Sequence, residues 1–278
     1  MPQAAPTEAA LMALAQVVGA HALAWFLLML ALVLLAAVVA VRWLRRFAAW
    51  RDGHDGDGLA RLALNLGLGF ALIVGAGFLF AALAGEIDPA DGLSRVDKAF
   101  SEAVRMSTSQ AALQVFGWVT HLGDPLTLVA LCVGAALVLW IRGERLLAVA
   151  FVAALGGNAL LNPALKEAFA RVRPQYGQVL THFGGWSFPS GHSSGALVAY
   201  GMLAYVLLRT LPRGWHLPAV LLAVAAAFAV GCSRVFLQAH FASDVVAGFA
   251  SGTAWLATCI ASVELVRARR RRPTPAVD

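Results

Sequence analysis

The chain has 278 residues, of which 60% are hydrophobic and only 13% are charged, and its formal net charge is +6. A soluble domain usually has about 45–50% apolar and about 25% charged residues, so this composition excludes an ordinary soluble protein. The positive charge does not indicate a nucleic-acid-binding protein, because the basic residues lie between apolar runs and in a short tail. The long apolar runs predict an all-α integral membrane protein.

Seven apolar runs predict a polytopic bundle of seven transmembrane helices. Their predicted ranges are 22–41, 62–84, 125–141, 146–165, 192–210, 217–233 and 244–265. Several are short for a hydrocarbon core about 30 Å thick, which a helix of about 20 apolar residues spans. In the last run, Gly248 and Gly252 form a small-xxx-small pattern, which predicts close packing against another helix.

The positions of the arginines predict the orientation in the membrane. One set of connections carries most of them, namely Arg42, Arg45, Arg46, Arg51, Arg61, Arg142, Arg145, Arg209, Arg213, Arg267, Arg269, Arg270, Arg271 and Arg272. Arginine and lysine accumulate on the cytoplasmic side of membrane proteins, so we expect these connections in the cytoplasm. The polar segments described below then lie at the extracytoplasmic face.

A longer connection, residues 85–124, lies between the second and third predicted spans. The apolar residues of this connection recur at helical spacing, and charged residues lie between them. These apolar residues are Leu93, Val96, Phe100 and Val104. This pattern predicts an amphipathic helix at the membrane interface. Such a helix would either brace the surface or guide lipid toward a site, and the sequence leaves both roles open.

The first polar segment follows the fourth predicted span and contains Lys166, Arg171, Arg173 and Pro174. Cations at a membrane border often do no more than extend toward water. Here, however, they run against the arginine bias of the other connections. A planar bidentate donor together with a point charge, as Arg173 and Lys166 supply, is a combination that binds phosphate.

The second polar segment is Pro189-Ser190-Gly191-His192, at the start of the fifth predicted span. Ser190 is a favourable N-cap residue, and Gly191 lets the backbone approach a ligand closely. The unpaired amides of the first helical turn form an anion-binding site. His192 projects from that turn, either as a residue of the membrane border or as a catalyst.

The third polar segment contains Ser233, Arg234, His240 and Asp244. His240 and Asp244 are four residues apart, so on a helix they share one face and can form a hydrogen bond. A carboxylate that accepts from one ring nitrogen leaves the other nitrogen free to attack. A buried ion pair that holds helices together would account for the two residues equally well. Ionisable groups are costly near a membrane, however, and are functional candidates there.

These three segments, in this order and on one membrane face, resemble the signatures of the type 2 phosphatidic acid phosphatase (PAP2) family of membrane lipid phosphatases. The resemblance covers roughly residues 62–266, and each signature is complete. It implies a six-helix core that holds the site. Residues 1–57 are then an addition, consisting of an extra N-terminal transmembrane helix and a cytoplasmic loop, to a phosphatase domain of residues 58–278.

The resemblance also implies a role for each signature residue. His240 is the expected nucleophile, forming a phosphohistidine intermediate, Asp244 orients it, and His192 is the expected general acid. The expected phosphate-binding residues are Lys166, Arg173, Ser190, Gly191 and Arg234. Arg171 lies outside the signature spacing and is expected at the rim. With three cations around the phosphate, we expect no divalent metal and no other cofactor. Activity should need a neutral His240 and a protonated His192, which predicts a bell-shaped pH profile.

The expected function is hydrolysis of a lipid phosphate or diphosphate at the outer face of a bacterial-type cytoplasmic membrane. Candidate substrates are undecaprenyl diphosphate, phosphatidylglycerol phosphate, phosphatidic acid and lipid A phosphate. The loop 175–188 and the connection 85–124 are expected to shape the substrate entrance.

Three alternatives stay open at this point. The same site would serve a lipid phosphotransferase. The vanadium haloperoxidases hold vanadate in a similar constellation, but they are soluble enzymes, which the predicted spans argue against. A transporter or lipid-binding protein with an inactive site fits the intact nucleophile, acid and orienting carboxylate least well.

Overall fold

The computed structural model describes residues 6–52, 58–88, 90–174 and 185–270. Within these ranges the protein consists of ten α-helices and two short 3-10 helices, without strands, which confirms the predicted all-α class. The α-helices are α1 (Pro6–Ala20), α2 (Ala22–Asp52), α3 (Gly58–Ala84), α4 (Gly92–Ser107), α5 (Gln110–Thr120), α6 (Pro125–Ile141), α7 (Arg145–Phe169), α8 (Gly191–Thr210), α9 (His216–Phe236) and α10 (Ala242–Arg270). Residues 53–57 of the predicted cytoplasmic loop after the first span, and residues 175–184 of the predicted entrance loop, lie outside the described residues.

The predicted spans coincide with apolar helices. Six helices of the described chain are long and apolar enough to cross a membrane: α2, α3, α7, α8, α9 and α10. Helices α5 and α6, bent by 44° at their junction, meet the same condition together and bring the number to as many as seven. The sequence predicted only the α6 half of this pair. Asp124 is extended and Pro125 begins α6, so the helical hydrogen-bond ladder is interrupted between the two halves.

The connection between the second and third spans differs from its prediction. It forms two helices, α4 and α5, and α4 packs along α1, which the sequence did not predict. The hydroxyl of Ser107 donates to the carbonyl oxygen of Gly19 at 2.9 Å, and Glu8 pairs with Arg95. Helix α4 buries Ser94, Asp97 and Ser101 together with Val104. The buried face of α4 is therefore largely polar, and most of the apolar residues that predicted the helix are only half-buried.

Helix α8 occupies the centre of the bundle, between α7, α9 and α10. Its contact with α10 depends on glycine. A Cβ at Gly248 would lie 2.5 Å from the carbonyl oxygen of Ser190, and one at Gly252 would lie 3.1 Å from the Cα of Ser194. These distances confirm the predicted close packing of the small-xxx-small face. As a result, the first turns of α8 and α10 lie side by side.

Candidate active site

The three polar segments meet at one end of the bundle, where α7 and α9 end and α8 and α10 begin. Lys166 and Arg234 lie in the last turns of α7 and α9, and Asp244 lies in the first turn of α10. The backbone N–H of Ser190, which precedes α8, donates to the carbonyl oxygen of Asp244 at 3.0 Å. We call this end of the bundle the site end.

His240 lies in the turn between α9 and α10 and is 2% exposed. Its Nε2 atom is 3.2 Å from Nη1 of Arg173, and its Nδ1 atom is 3.5 Å from Oδ2 of Asp244. A guanidinium group can only donate hydrogen bonds, so Nε2 is the acceptor and the ring proton resides on Nδ1, facing Asp244. Burial lowers the pKa of His240 to about 3, so the ring is neutral at ordinary pH. The lone pair of Nε2 therefore faces Arg173, the cation that the sequence predicts to bind phosphate.

Asp244 is fully buried and accepts hydrogen bonds on both carboxylate oxygens. Oδ1 accepts from Nη1 of Arg171 at 2.7 Å. Oδ2, the oxygen that faces His240, accepts from the backbone N–H of Phe241 at 2.9 Å and from the hydroxyl of Ser187. These donors hold Asp244 as a carboxylate in a fixed orientation behind the imidazole ring.

The other cations of the site end are held mainly by backbone oxygens. Nη1 and Nε of Arg173 donate to the carbonyls of Ala239 and Gly185 at 2.7 and 3.1 Å. Nζ of Lys166 donates to the carbonyl of Trp186 at 2.9 Å. The third cation, Arg234, is buried and donates to the hydroxyl of Thr120 at 2.7 Å. Three positive side chains are thus fixed near the start of α8 by the protein itself.

Ser190 and Gly191 have structural tasks at the start of α8. The hydroxyl of Ser190 accepts from the backbone N–H of Ser193, which confirms the predicted N-cap, and also from the hydroxyl of Ser193 at 2.9 Å. A Cβ at Gly191 would lie 2.8 Å from Oδ1 of Asn162. Glycine at this position therefore lets α8 approach α7, which is a different reason from the ligand approach that the sequence suggested.

His192 is paired with a carboxylate that the sequence did not identify. Its Nε2 atom lies 2.9 Å from Oδ1 of Asp124, whose Oδ2 lies 2.6 Å from Nδ1 of His121. A carboxylate accepts, so Nε2 of His192 carries a proton and Nδ1 is left for chemistry. The only sequence signal was an Asp-Pro pair at the start of a span, which is also typical of an ordinary helix beginning.

The prediction that Arg171 lies at the rim of the site is wrong. The residue is 7% exposed and reaches across the site end, where it contacts Asp97 at 3.1 Å and Asp244 at 2.7 Å. Ala170 ends α7 with a φ of 43°, and the chain turns there toward the interior. Asp97, the partner on α4, is 74 residues from Arg171 in the chain, so no local pattern links the two.

A cavity of about 830 Å³ opens beside these residues, between α4 and the end of α7. Apolar side chains form much of its wall, among them Phe169, Val172 and Phe241. Arg173 and, from α4, Lys98 also line it. Its volume is in the range of small-molecule sites. Among the described residues, no group of three or more His, Cys, Asp or Glu side chains could hold a metal ion.

The site end therefore combines an unprotonated imidazole nitrogen, an orienting carboxylate, a second histidine and fixed cations. Such an arrangement can bind a phosphoryl group, attack its phosphorus and protonate the oxygen that leaves. The negative charge that develops on the phosphoryl oxygens would be met by groups that do not have to reorganise.

The model of the PAP2 superfamily matches residues 146–267, a range that contains all three polar segments. Over 179 residues the chain is 35% identical to phosphatidylglycerophosphatase B of Bacillus subtilis, which covers 63% of this chain and 87% of that protein. The fold of this chain is also similar to that in a crystal structure of a transmembrane PAP2-type phosphatidylglycerolphosphate phosphatase from Bacillus subtilis. That match has a TM-score of 0.65 and 31% identity, and covers 72% of this chain and 98% of the other.

Proposed function

The chain belongs to the PAP2 superfamily of membrane lipid phosphatases, and we propose that it removes the terminal phosphate of phosphatidylglycerol phosphate. The Bacillus subtilis relative and the Bacillus subtilis crystal structure are both named for this activity. The observation in this chain that supports the proposal best is the 3.2 Å distance between Nη1 of Arg173 and Nε2 of His240. This distance supports the proposal because the cation proposed to bind phosphate then lies directly beside the nitrogen proposed as the nucleophile.

In the first step, the lone pair of His240 Nε2 attacks the phosphorus of the terminal phosphomonoester. An N–P bond forms while the bond between phosphorus and the glycerol oxygen breaks. That oxygen takes a proton from Nδ1 of protonated His192, and phosphatidylglycerol leaves. The phosphorylated imidazole ring carries a positive charge, which the carboxylate of Asp244 stabilises through the Nδ1 proton, 3.5 Å away from Oδ2.

In the second step, the same histidine acts in the opposite direction. Neutral His192 takes a proton from a water molecule, whose oxygen attacks the phosphorus. The N–P electron pair returns to Nε2 of His240, and inorganic phosphate leaves. Lys166, Arg173 and Arg234 stabilise the phosphoryl oxygens in both steps, together with the amides at the start of α8. In this mechanism the side-chain cations take the place that a divalent metal has in many other phosphatases.

The site end is proposed to face away from the cytoplasm. The connections at the opposite end of the bundle carry Arg142, Arg145, Arg209 and Arg213, and α10 ends in further arginines. The positive-inside rule puts such connections in the cytoplasm. The substrate would then be a lipid in the outer leaflet of a bacterial cytoplasmic membrane.

The cavity beside Arg173 is the proposed binding space for the part of the lipid next to the phosphate. Its wall combines apolar side chains with cations, which suits a group that joins acyl chains to phosphates. Large apolar side chains on α3, such as Phe70 and Phe78, are exposed on the outside of the bundle, as contact with acyl chains requires.

The decisive experiment is phosphate release by the purified protein from a panel of lipids. We expect turnover of phosphatidylglycerol phosphate to exceed that of phosphatidic acid and undecaprenyl diphosphate, and His240→Ala to abolish it. An acid-labile phosphohistidine should be trapped in the wild type from labelled substrate. Preference for another lipid would overturn the substrate proposal, and an active His240→Ala variant would overturn the nucleophile. Transfer to an added lipid acceptor without free phosphate would identify a phosphotransferase.

A further inference from the structure

A network of buried polar side chains lies behind the His240–Asp244 pair and connects it to α4. We call it the Arg171 network. Its members are Ser94, Asp97, Arg171, Ser243 and Asp244, each of them more than nine-tenths buried. Two of these members belong to α4, a helix outside the range matched by the superfamily model.

Within this network, Arg171 determines which oxygen of Asp244 faces the nucleophile. Its Nη1 atom donates to Oδ1 of Asp244 at 2.7 Å and to the hydroxyl of Ser243 at 2.7 Å. Oδ2 is thereby left to Ser187, the backbone N–H of Phe241 and the ring of His240. Rotation of the carboxylate about its Cβ–Cγ bond would break the charged contact with Arg171.

Asp97 holds the other side of the guanidinium group. Its Oδ2 atom lies 3.1 Å from Nη2 of Arg171, and Ser94 accepts from the same nitrogen at 3.2 Å. Asp97 also accepts from the backbone N–H and the hydroxyl of Ser243 at the start of α10. The guanidinium carbon of Arg171 lies 4.6 Å from the centre of the Phe241 ring, which limits its movement. The arginine is therefore restrained from several sides.

Net stability is a weak reason for such a network. Buried ion pairs contribute little, because the desolvation of the charges offsets their attraction. Burial indeed raises the pKa of Asp97 above the ordinary carboxyl value, although Arg171 and Ser243 oppose this rise. A chain that keeps two carboxylates and a guanidinium group in its interior gains orientation rather than stability from them.

We propose that Arg171 is a positioning residue that fixes the carboxylate of Asp244 against His240, and that Asp97 fixes Arg171 from α4. The inference rests on the proposed role of His240 as nucleophile. Arg171 acts on the reaction through Asp244, whereas Arg173, two residues later, lies beside the attacking nitrogen. The two arginines of this segment therefore have different tasks, and only Arg173 is expected to hold phosphate.

The test compares Arg171→Gln, Arg171→Lys and the double variant Arg171→Gln/Asp97→Asn with the wild type. Arg209→Gln is the matched control, since it removes an arginine–glutamate pair between α8 and α10 at the opposite end of the bundle. Turnover is measured with phosphatidylglycerol phosphate and with p-nitrophenyl phosphate. Phosphate-site occupancy is measured separately, through inhibition by orthovanadate.

We expect Arg171→Gln to lower kcat about 100-fold, the loss typical of a misplaced catalytic group, with KM and vanadate inhibition within about twofold of the wild type. Arg171→Lys should recover part of kcat, because a single ammonium group can pair with Asp244 but cannot reproduce the guanidinium fork. The double variant leaves no unpaired carboxylate at position 97. It should therefore recover thermal stability but not kcat.

Recovery of kcat in the double variant, in parallel with stability, would overturn the inference and assign Arg171 a structural role. A rise in KM at unchanged kcat would also overturn it, because Arg171 would then bind substrate directly. A failure of the lipid proposal is separate. It would appear as hydrolysis of p-nitrophenyl phosphate, but not of phosphatidylglycerol phosphate, by the wild-type protein. The ratio of kcat between variant and wild type on p-nitrophenyl phosphate would then still decide the role of Arg171.

Discussion

His192 and Asp124 form a hydrogen-bonded pair, with Nε2 of the histidine 2.9 Å from Oδ1 of the aspartate. Asp124 lies at the break between α5 and α6, so this break brings a carboxylate to the first turn of α8. His192 therefore faces the carboxylate of Asp124, just as His240 faces the carboxylate of Asp244. Each histidine of the site end thus has one ring nitrogen facing a carboxylate, and the other nitrogen is the one to which the proposed mechanism gives the reaction.

Asp124→Asn should slow the step that depends on proton donation. The asparagine side chain can turn its NH₂ group toward Nε2, which would favour the tautomer with its proton on Nδ1 and weaken the charged form of the ring. We expect kcat for the lipid substrate to fall roughly 10- to 100-fold, part of what a positioned general acid contributes. Steady-state kinetics with purified protein measures this.

The leaving group provides the control for this prediction. p-Nitrophenolate leaves without protonation, so Asp124→Asn should reduce hydrolysis of p-nitrophenyl phosphate much less than hydrolysis of the lipid. His121→Asn, which changes only the other partner of Asp124, should have a smaller effect on both substrates. Equal losses on both substrates would show that Asp124 does not act through the general acid.

Gly248 is expected to be intolerant of any side chain. A Cβ at this position would lie 2.5 Å from the carbonyl oxygen of Ser190 and 2.9 Å from the Cβ of Ser193, and a backbone oxygen cannot move aside cheaply. Gly248→Ala should therefore destabilise the protein by about 1–3 kcal/mol, the usual cost of overpacking. It should also reduce activity, because His192 and the N-cap Ser190 lie at the start of α8. Thermal unfolding in detergent measures the first effect.

Gly156→Ala on α7 is the matched control, since a Cβ there would meet no atom within 4 Å. The same substitution in a helix interior without a clash removes backbone freedom from the unfolded chain, so a gain of roughly 0.5–1 kcal/mol is expected. If both variants unfolded at the same temperature, the close contact between α8 and α10 would not exist as described.

The sequence was a good guide to the membrane helices and to the three polar segments, because both follow from local patterns. Apolar run length predicts a span, and the fixed order of Lys166, His192, His240 and their neighbours carries the family resemblance. Even the packing of α10 on α8 followed from the spacing of Gly248 and Gly252.

The residues that the sequence missed are those whose role depends on contacts far along the chain. Asp97 is 147 residues from Asp244 and Asp124 is 68 from His192, as their positions in the chain show. Neither separation leaves a local signal. The periodicity of α4 was correctly assigned to a helix, but periodicity does not say that its polar side would be covered by Arg171 and the start of α10. The same gap explains why Arg171 was assigned to the rim.

Activity should resist metal chelation. In the proposed mechanism, the positive charge that phosphoryl transfer needs comes from Lys166, Arg173 and Arg234, which the protein itself holds in place. We expect kcat in excess EDTA to equal kcat in its absence, and added Mg²⁺ to have no further effect. Complete loss in EDTA that added Mg²⁺ restores would contradict the proposed mechanism.

The acid limb of the pH profile should lie below the usual range of histidine. Burial lowers the pKa of His240 from the ordinary value of 6.5 to about 3, and the guanidinium groups of Arg173 and Arg234 act in the same direction while Asp244 opposes them. His240, the proposed nucleophile, is therefore neutral at every pH well above 3. We therefore expect no fall in activity through protonation of His240 between pH 6.5 and about 4, measured as kcat/KM across this range.

The same lowered pKa predicts how stability depends on pH. In the unfolded chain the His240 side chain binds a proton below about pH 6.5, whereas in the folded protein it does not until the pH approaches 3. Unfolding therefore takes up a proton in this window, so the free energy of unfolding should decrease as the pH falls from 6.5 toward 3 and should be insensitive to this group above 6.5. His240→Asn should show a smaller decrease over the same window, measured by thermal unfolding in detergent. An equal decrease in the free energy of unfolding of both proteins would mean that the pKa of His240 is not lowered in the folded state. The burial of His240 would then not keep its ring neutral for the proposed attack on phosphorus.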